Sequence, residues 1–79
     1  MITAEVAIYP LKTNNASNVI NSSINTLENS NVNYTVDSMK THLTGTKEDV
    51  FNNLSSMFSQ AENSGGEISM VVTITNSAD

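Results

Sequence analysis

The chain has no cysteine, no tryptophan and no arginine, one proline, one histidine, and no apolar run approaching the roughly 18 residues that span a bilayer. The lack of cysteine excludes disulfides, thiolate metal ligands and cysteine nucleophiles together. Lys12, Lys40 and Lys47 stand against eight carboxylates, giving a net charge of −5. Sequence-independent nucleic-acid binding needs several cations on one face to displace counterions from phosphate, so it is disfavoured. A field of this sign repels phosphorylated ligands and favours neutral or cationic ones, within a screening distance of about 8 Å. The start, Met1-Ile2-Thr3-Ala4-Glu5, lacks the basic region of a signal peptide. The expectation is a cytoplasmic protein with no membrane insertion.

What is present is neutral polarity. Only 14% of the 79 residues are charged, against roughly 25% in ordinary soluble domains. Twelve Asn, eleven Ser and nine Thr fill the gap. Residues 1–79 read as one small domain with no internal repeat or linker. A chain of this size buries only about 60% of its unfolded surface, so a ligand or a second subunit is a natural source of added stability.

The apolar residues are periodic. Ile2, Ala4, Val6 and Ile8 alternate with Thr3, Glu5, Ala7 and Tyr9, the period of a strand, and Pro10 is expected to end it. Val19, Ile20, Ile24 and Leu27 recur at helical spacing, and Asn29-Ser30-Asn31 reads as the stop. Val32, Tyr34 and Val36 alternate as a second strand, and a third runs from Met39 to Thr44, closed by Gly45. Thr46 caps a second helix, with Asp49 three residues on in a capping-box arrangement and Glu48 and Asp49 in the first turn. Val50, Phe51, Leu54, Met57, Phe58 and Ala61 are expected to form its buried stripe, with Gly65-Gly66 as cap and turn. Ile68 to Thr75 alternates as a fourth strand.

This order, βαββαβ, predicts an α+β ferredoxin-like sandwich, a four-stranded antiparallel sheet with both helices on one face. The opposite face carries Thr3, Glu5, Ala7, Tyr9, Thr35, Asp37, His42, Val71 and Thr73. Such a mixed face is either solvated or packed on a second subunit.

Catalytic chemistry has little to work with. His42 has no second histidine or cysteine to share a metal, and no serine sits in a nucleophile motif with a matched base. Gly65-Gly66 follows a helix rather than opening one, so it is not a phosphate cradle. Thr41 is more informative. It shares strand phase with Leu43 and therefore faces the helices, where its hydroxyl either bonds a backbone carbonyl or lines a cleft between sheet and helices. Tyr34 places a ring on the core side and its hydroxyl needs a polar outlet. Ser23, near Ile20 and Leu27, adds a third core-side hydroxyl. Asp37 stands at the hairpin between strands two and three, where a turn aspartate is usual.

Several stretches carry a family resemblance: Ala7-Ile8-Tyr9-Pro10-Leu11, then Asp37-Ser38-Met39-Lys40-Thr41-His42-Leu43-Thr44-Gly45 leading to Glu48-Asp49-Val50-Phe51, and finally Ile68-Ser69-Met70. In these, and in element order over nearly its whole length, the chain resembles the ferredoxin-like domain of the hydroxymethylpyrimidine/thiamine-binding proteins, the YkoF-like group. The resemblance implies a non-enzymatic binder of thiamine or its pyrimidine precursor, acting in salvage or transport and needing no cofactor beyond that ligand. It implies Thr41 as the hydrogen-bonding partner of an aminopyrimidine, with Asp37 and the backbone of Ser38 and Met39 nearby; Met39 and Tyr34 could cover the faces of the ring. Members of the group can carry two such domains in tandem, an arrangement that a homodimer of this chain would reproduce. The other readings are a structural or regulatory dimerisation module with a fully packed cleft, and a small enzyme on the same scaffold, which the absence of a base and nucleophile argues against.

Overall fold

The computed structural model describes residues 1–37 and 40–77, in the order β1 (Ile2–Pro10), α1 (Ala16–Asn25), β2 (Asn33–Asp37), β3 (Lys40–Gly45), α2 (Lys47–Gly65), β4 (Ile68–Thr75). The strands form one antiparallel sheet in the order β2-β3-β1-β4. This is the expected ferredoxin-like sandwich. In register, Val6 stands opposite both Thr41 and Val72, and Ala4 opposite Leu43 and Ile74. Opposed residues share a face, so the alternation read from sequence delivers Ala4, Val6, Ile8 and Leu43 to the core.

Pro10 ends β1 as expected, as its last residue, paired with Ile68. The Leu11 N–H donates to the Glu67 carbonyl at 2.9 Å. Successive N–H groups alternate sides, so the nitrogen of Pro10 faces away from β4, beyond Val6, the last β3 pair among the described residues. A missing donor costs nothing there.

The helix α1 ends before Leu27, shorter than expected. The N–H groups of Thr26, Leu27 and Glu28 each bond a carbonyl three residues back, and the Thr26 hydroxyl donates to the Ser23 carbonyl at 2.7 Å. These tighter bonds unwind the α-helix, and Asn29 completes the exit with φ of 65°, which asparagine tolerates better than most residues. Leu27 stays buried beyond the helix. In α2 the expected cap is in place: the Thr46 hydroxyl accepts from the Asp49 N–H at 3.1 Å. Gly66, at φ of 75°, ends the helix, donating its N–H to the Glu62 carbonyl at 2.9 Å.

Two expectations about the core need correction. Phe51 and Phe58 are 48% and 39% exposed, while Val50, Leu54, Met57 and Ala61 alone carry the buried stripe of α2. Tyr34 is exposed rather than a core ring, and Val36 is 52% exposed. Tyr34 and Val36 lie on edge strand β2, whose strand neighbour is β3, and the helices pack chiefly over β1. Val32, just before β2, is buried instead, its Cγ1 about where a Cβ on Gly45 would collide, at 3.0 Å.

This uneven cover predicts uneven energetics. Leu43→Ala should cost about 2–5 kcal/mol, which in a domain of this size lowers the melting temperature by roughly 10 °C or more. Val36→Ala, on the same face of the neighbouring strand, should shift it by no more than about 4 °C. Thermal denaturation of the two variants checks this, and equal losses would show that β2 is covered.

Candidate functional site

The space left under α1 beside the uncovered strand forms a cleft. Three sheet residues stand in a row across it, Val6, Thr41 and Val36, each opposite the next in register. Ile8 extends the floor, Ile20 and Ile24, one turn apart on α1, form the roof, and Lys40 borders the rim. The walls are apolar apart from Thr41, which is 5% exposed. Among the described residues no buried side-chain oxygen or nitrogen lacks a partner, and the Thr41 hydroxyl takes part in none of their hydrogen bonds. Thr41 is part of the lining and the one residue there that carries a hydroxyl.

The cleft is small, about 70 Å³. A dry cavity that holds benzene measures about 150 Å³, and ordinary small-molecule sites start near 300 Å³. A six-membered ring fits only if one wall moves. The floor is held by hydrogen-bonded pairing on both sides of β1. The roof is softer: α1 is ten residues rich in Asn and Ser, with no side-chain bond at its N-cap Asn15.

The structure gathers few of the residues singled out in sequence. Thr41 lies at the cleft. Ser23 is fully buried, but its hydroxyl donates to the Met57 carbonyl at 2.8 Å, tying α1 to α2 instead of facing the cleft. Tyr34 is outside the lining. Asp37 stands opposite Lys40 in register and so lies on the open face of the sheet, away from Thr41. Ser38 and Met39 lie outside the described residues. The walls Val6, Ile8, Ile20, Ile24 and Val36 were legible only as core residues; the signal that could have marked them is the shared register of positions 6, 41 and 36.

The open face is polar at its centre. The Lys40 ammonium donates to Glu5 Oε1 at 2.8 Å, His42 stands opposite Glu5, and Ala7, Tyr9, Val71 and Thr73 surround the pair in a shallow dish. Among the described residues no group of three or more His, Asp or Glu could hold a metal ion. The hydrogen bond and the charge of Lys40 hold the Glu5 carboxyl below the usual glutamate range, and Glu5 raises Lys40 in return. The pair therefore stabilises the fold between those ranges. Its contribution is lost as pH falls through the lowered Glu5 pKa or rises through the raised Lys40 pKa. Both groups are exposed, so the effect on stability is small. Lys40→Met should return Glu5 to the ordinary glutamate range in a carboxyl NMR titration while the fold persists; an unmoved midpoint would show that the ion pair does not form in solution.

The same architecture occurs in several solved structures. A protein from Streptococcus pneumoniae superposes with a TM-score of 0.89 at 19% identity, over 96% of this chain and 86% of its own. A domain of unknown function from Bacillus cereus gives 0.86 at 20% identity, over 96% and 75%. A protein from Thermotoga maritima, described as a candidate thiamine biosynthesis/salvage protein, gives 0.84 at 17% identity, over 98% and 84%. At these identities the likeness shows the fold. No curated protein matches the chain in sequence at a significant level. Residues 1–78 match the YKOF-related family. The chain belongs to that family.

Proposed function

We propose that the chain is a non-enzymatic binding protein for thiamine or its hydroxymethylpyrimidine precursor, acting in thiamine salvage or transport in the cytoplasm. The observation that carries this reading is the single Thr41 hydroxyl set in an otherwise apolar cleft between α1 and the sheet. An aminopyrimidine offers ring-nitrogen acceptors and an amino donor to such a hydroxyl, and flat faces to Ile20, Ile24 and Val6. Membership of the YKOF-related family and the description of the Thermotoga maritima neighbour support the same chemistry. Asp37 sits on the far face, so the reading rests on Thr41. The ring enters by lifting α1 away from β2 and β3. Open-face packing against a second copy, with Tyr9 and Val71 as its exposed apolar contacts, would give the paired arrangement of tandem members.

Lys40 has its charge on the open face, paired with Glu5. A diphosphate would find no helix-start glycine loop and a protein of net charge −5. Unphosphorylated forms are therefore preferred.

The size of the cleft favours a second reading, an interaction module with no small ligand. Calorimetric titration with hydroxymethylpyrimidine, thiamine and thiamine diphosphate separates the two. The binding reading expects the first two to bind and the diphosphate to bind more weakly. It also expects Thr41→Val to weaken binding about tenfold, the worth of one hydrogen bond, with little loss of stability. Tighter binding of the diphosphate contradicts the preference, and a folded protein that binds none of the three supports the module.

A further inference from the structure

The sides of α1 are divided between two neighbours. Val19 and Ser23, one turn apart, are its buried residues, and both meet α2. Val19 packs where Gly65 has no side chain, and the Ser23 hydroxyl donates to the Met57 carbonyl at 2.8 Å. Ile20 and Ile24, also one turn apart, roof the cleft, whose lining includes neither Val19 nor Ser23. Each isoleucine follows a residue of the first pair, so the two rows lie about 100° apart around the helix. The flank beyond the first row is open, where Ser22, Asn25 and Thr26 border a surface hollow with Gln60 of α2.

The row that meets α2 is held, while the ends of α1 are loose. At its start, Asn15 makes no side-chain cap bond. At its end, the Ser23 carbonyl accepts from the Thr26 N–H at 3.2 Å and the Thr26 hydroxyl at 2.7 Å, opening a tight turn that runs to Asn29. The buried Leu27 lies in that turn, so its anchorage is separate from the helix. As a body, α1 packs chiefly against α2 and only lightly on the sheet.

We infer that α1 opens the cleft by rolling about its α2-facing row, and that Ser23 is the positioning residue that fixes the axis. The inference rests on the reading of the cleft as a ring-binding site. Side chains reach about 5–6 Å from a helix axis, which sets the isoleucine row about 8 Å from the row on which α1 turns. With that arm, a roll of about 15° lifts the roof about 2 Å from the sheet. The Ser23 bond lies on the axis and survives the roll. Lifting the whole helix would instead part Val19 from Gly65 and strip a buried hydroxyl of its acceptor, a desolvation cost that the roll avoids.

Nuclear Overhauser contacts in the full chain test the roll, with benzene and hydroxymethylpyrimidine as probes. With either bound, the contact between Val19 and Gly65 should persist, and those of the Ile20 and Ile24 methyls with Val6 and Val36 should weaken. Loss of the Val19 contact, cleft contacts unchanged by bound probe, or a wild type that admits neither probe would each overturn the inference. Entry of benzene but not of hydroxymethylpyrimidine would retain the roll and overturn the thiamine reading alone. Ser23→Ala tests the positioning role. The Met57 carbonyl keeps its place in the α2 ladder, so the variant should fold. Amide exchange in α1 should quicken about tenfold relative to α2, the worth of one hydrogen bond, and bound probe should be held about tenfold more weakly. Thr46→Ala, which removes the cap of α2, lowers stability comparably and should leave probe affinity unchanged. Equal affinity losses in the two variants, or none in Ser23→Ala, would overturn the role of Ser23. Should Ser23→Ala not fold, the wild-type contacts decide alone.

Discussion

The close approach of α1 to α2 governs where everything else lies. Gly65 has no side chain, and Val19 packs into the space, its Cγ2 only 3.0 Å from where a Cβ would stand. One turn along α1, the Ser23 hydroxyl is bonded to the Met57 carbonyl. Both contacts draw α1 toward α2 and hold the helix pair over the middle of the sheet. A four-stranded sheet under so narrow a layer is uncovered at its margins. At β2 the result is the cleft over Val36 and Thr41, and at β4 it is the bare strand edge.

Those two margins differ chemically. The β2 margin is concave, apolar and marked by one hydroxyl, and its roof is the weakest helix in the chain. Those features suit a small neutral ring that can be enclosed once α1 yields. The β4 margin is the other edge of the sheet, with no charged residue over Ile68–Thr75. The open face, with Glu5 and Lys40 bonded at its centre, resembles neither. No helix among the described residues is long and apolar enough to cross a membrane.

Element order and facing were legible in the sequence because period two and period 3.6 report directly which side of the chain is apolar. Ala4, Val6, Ile8, Thr41 and Leu43 all face as their alternation predicts, and Thr46 caps as its hydroxyl and spacing suggest. Cover was not legible. Tyr34, Val36, Phe51 and Phe58 are on apolar phases, but whether such a phase is buried depends on how far a neighbouring layer reaches, and that depends on a contact as remote in sequence as Val19 with Gly65. The end of α1 was misplaced for a local reason, since the bonds that unwind Thr26 to Glu28 leave Leu27 at a helical spacing outside the helix. Among site residues, Ser23 and Thr41 look alike in sequence, two hydroxyls among apolar neighbours. One is consumed by a helix-to-helix bond, and the other is part of the cleft's lining. Asp37 lies on the far face, where its strand phase already placed it in the sequence, and so cannot share the cleft with Thr41.

The central claim is that the uncovered margin under α1 is where the ligand binds. Amide and methyl NMR shifts recorded as hydroxymethylpyrimidine is titrated into the protein test it most directly. The account predicts shifts at Val6, Ile8, Ile20, Ile24, Val36 and Thr41, with Glu5, His42 and Thr73 of the open face unmoved. Shifts confined to the open face, or a spectrum in which the cleft residues do not move, would contradict it.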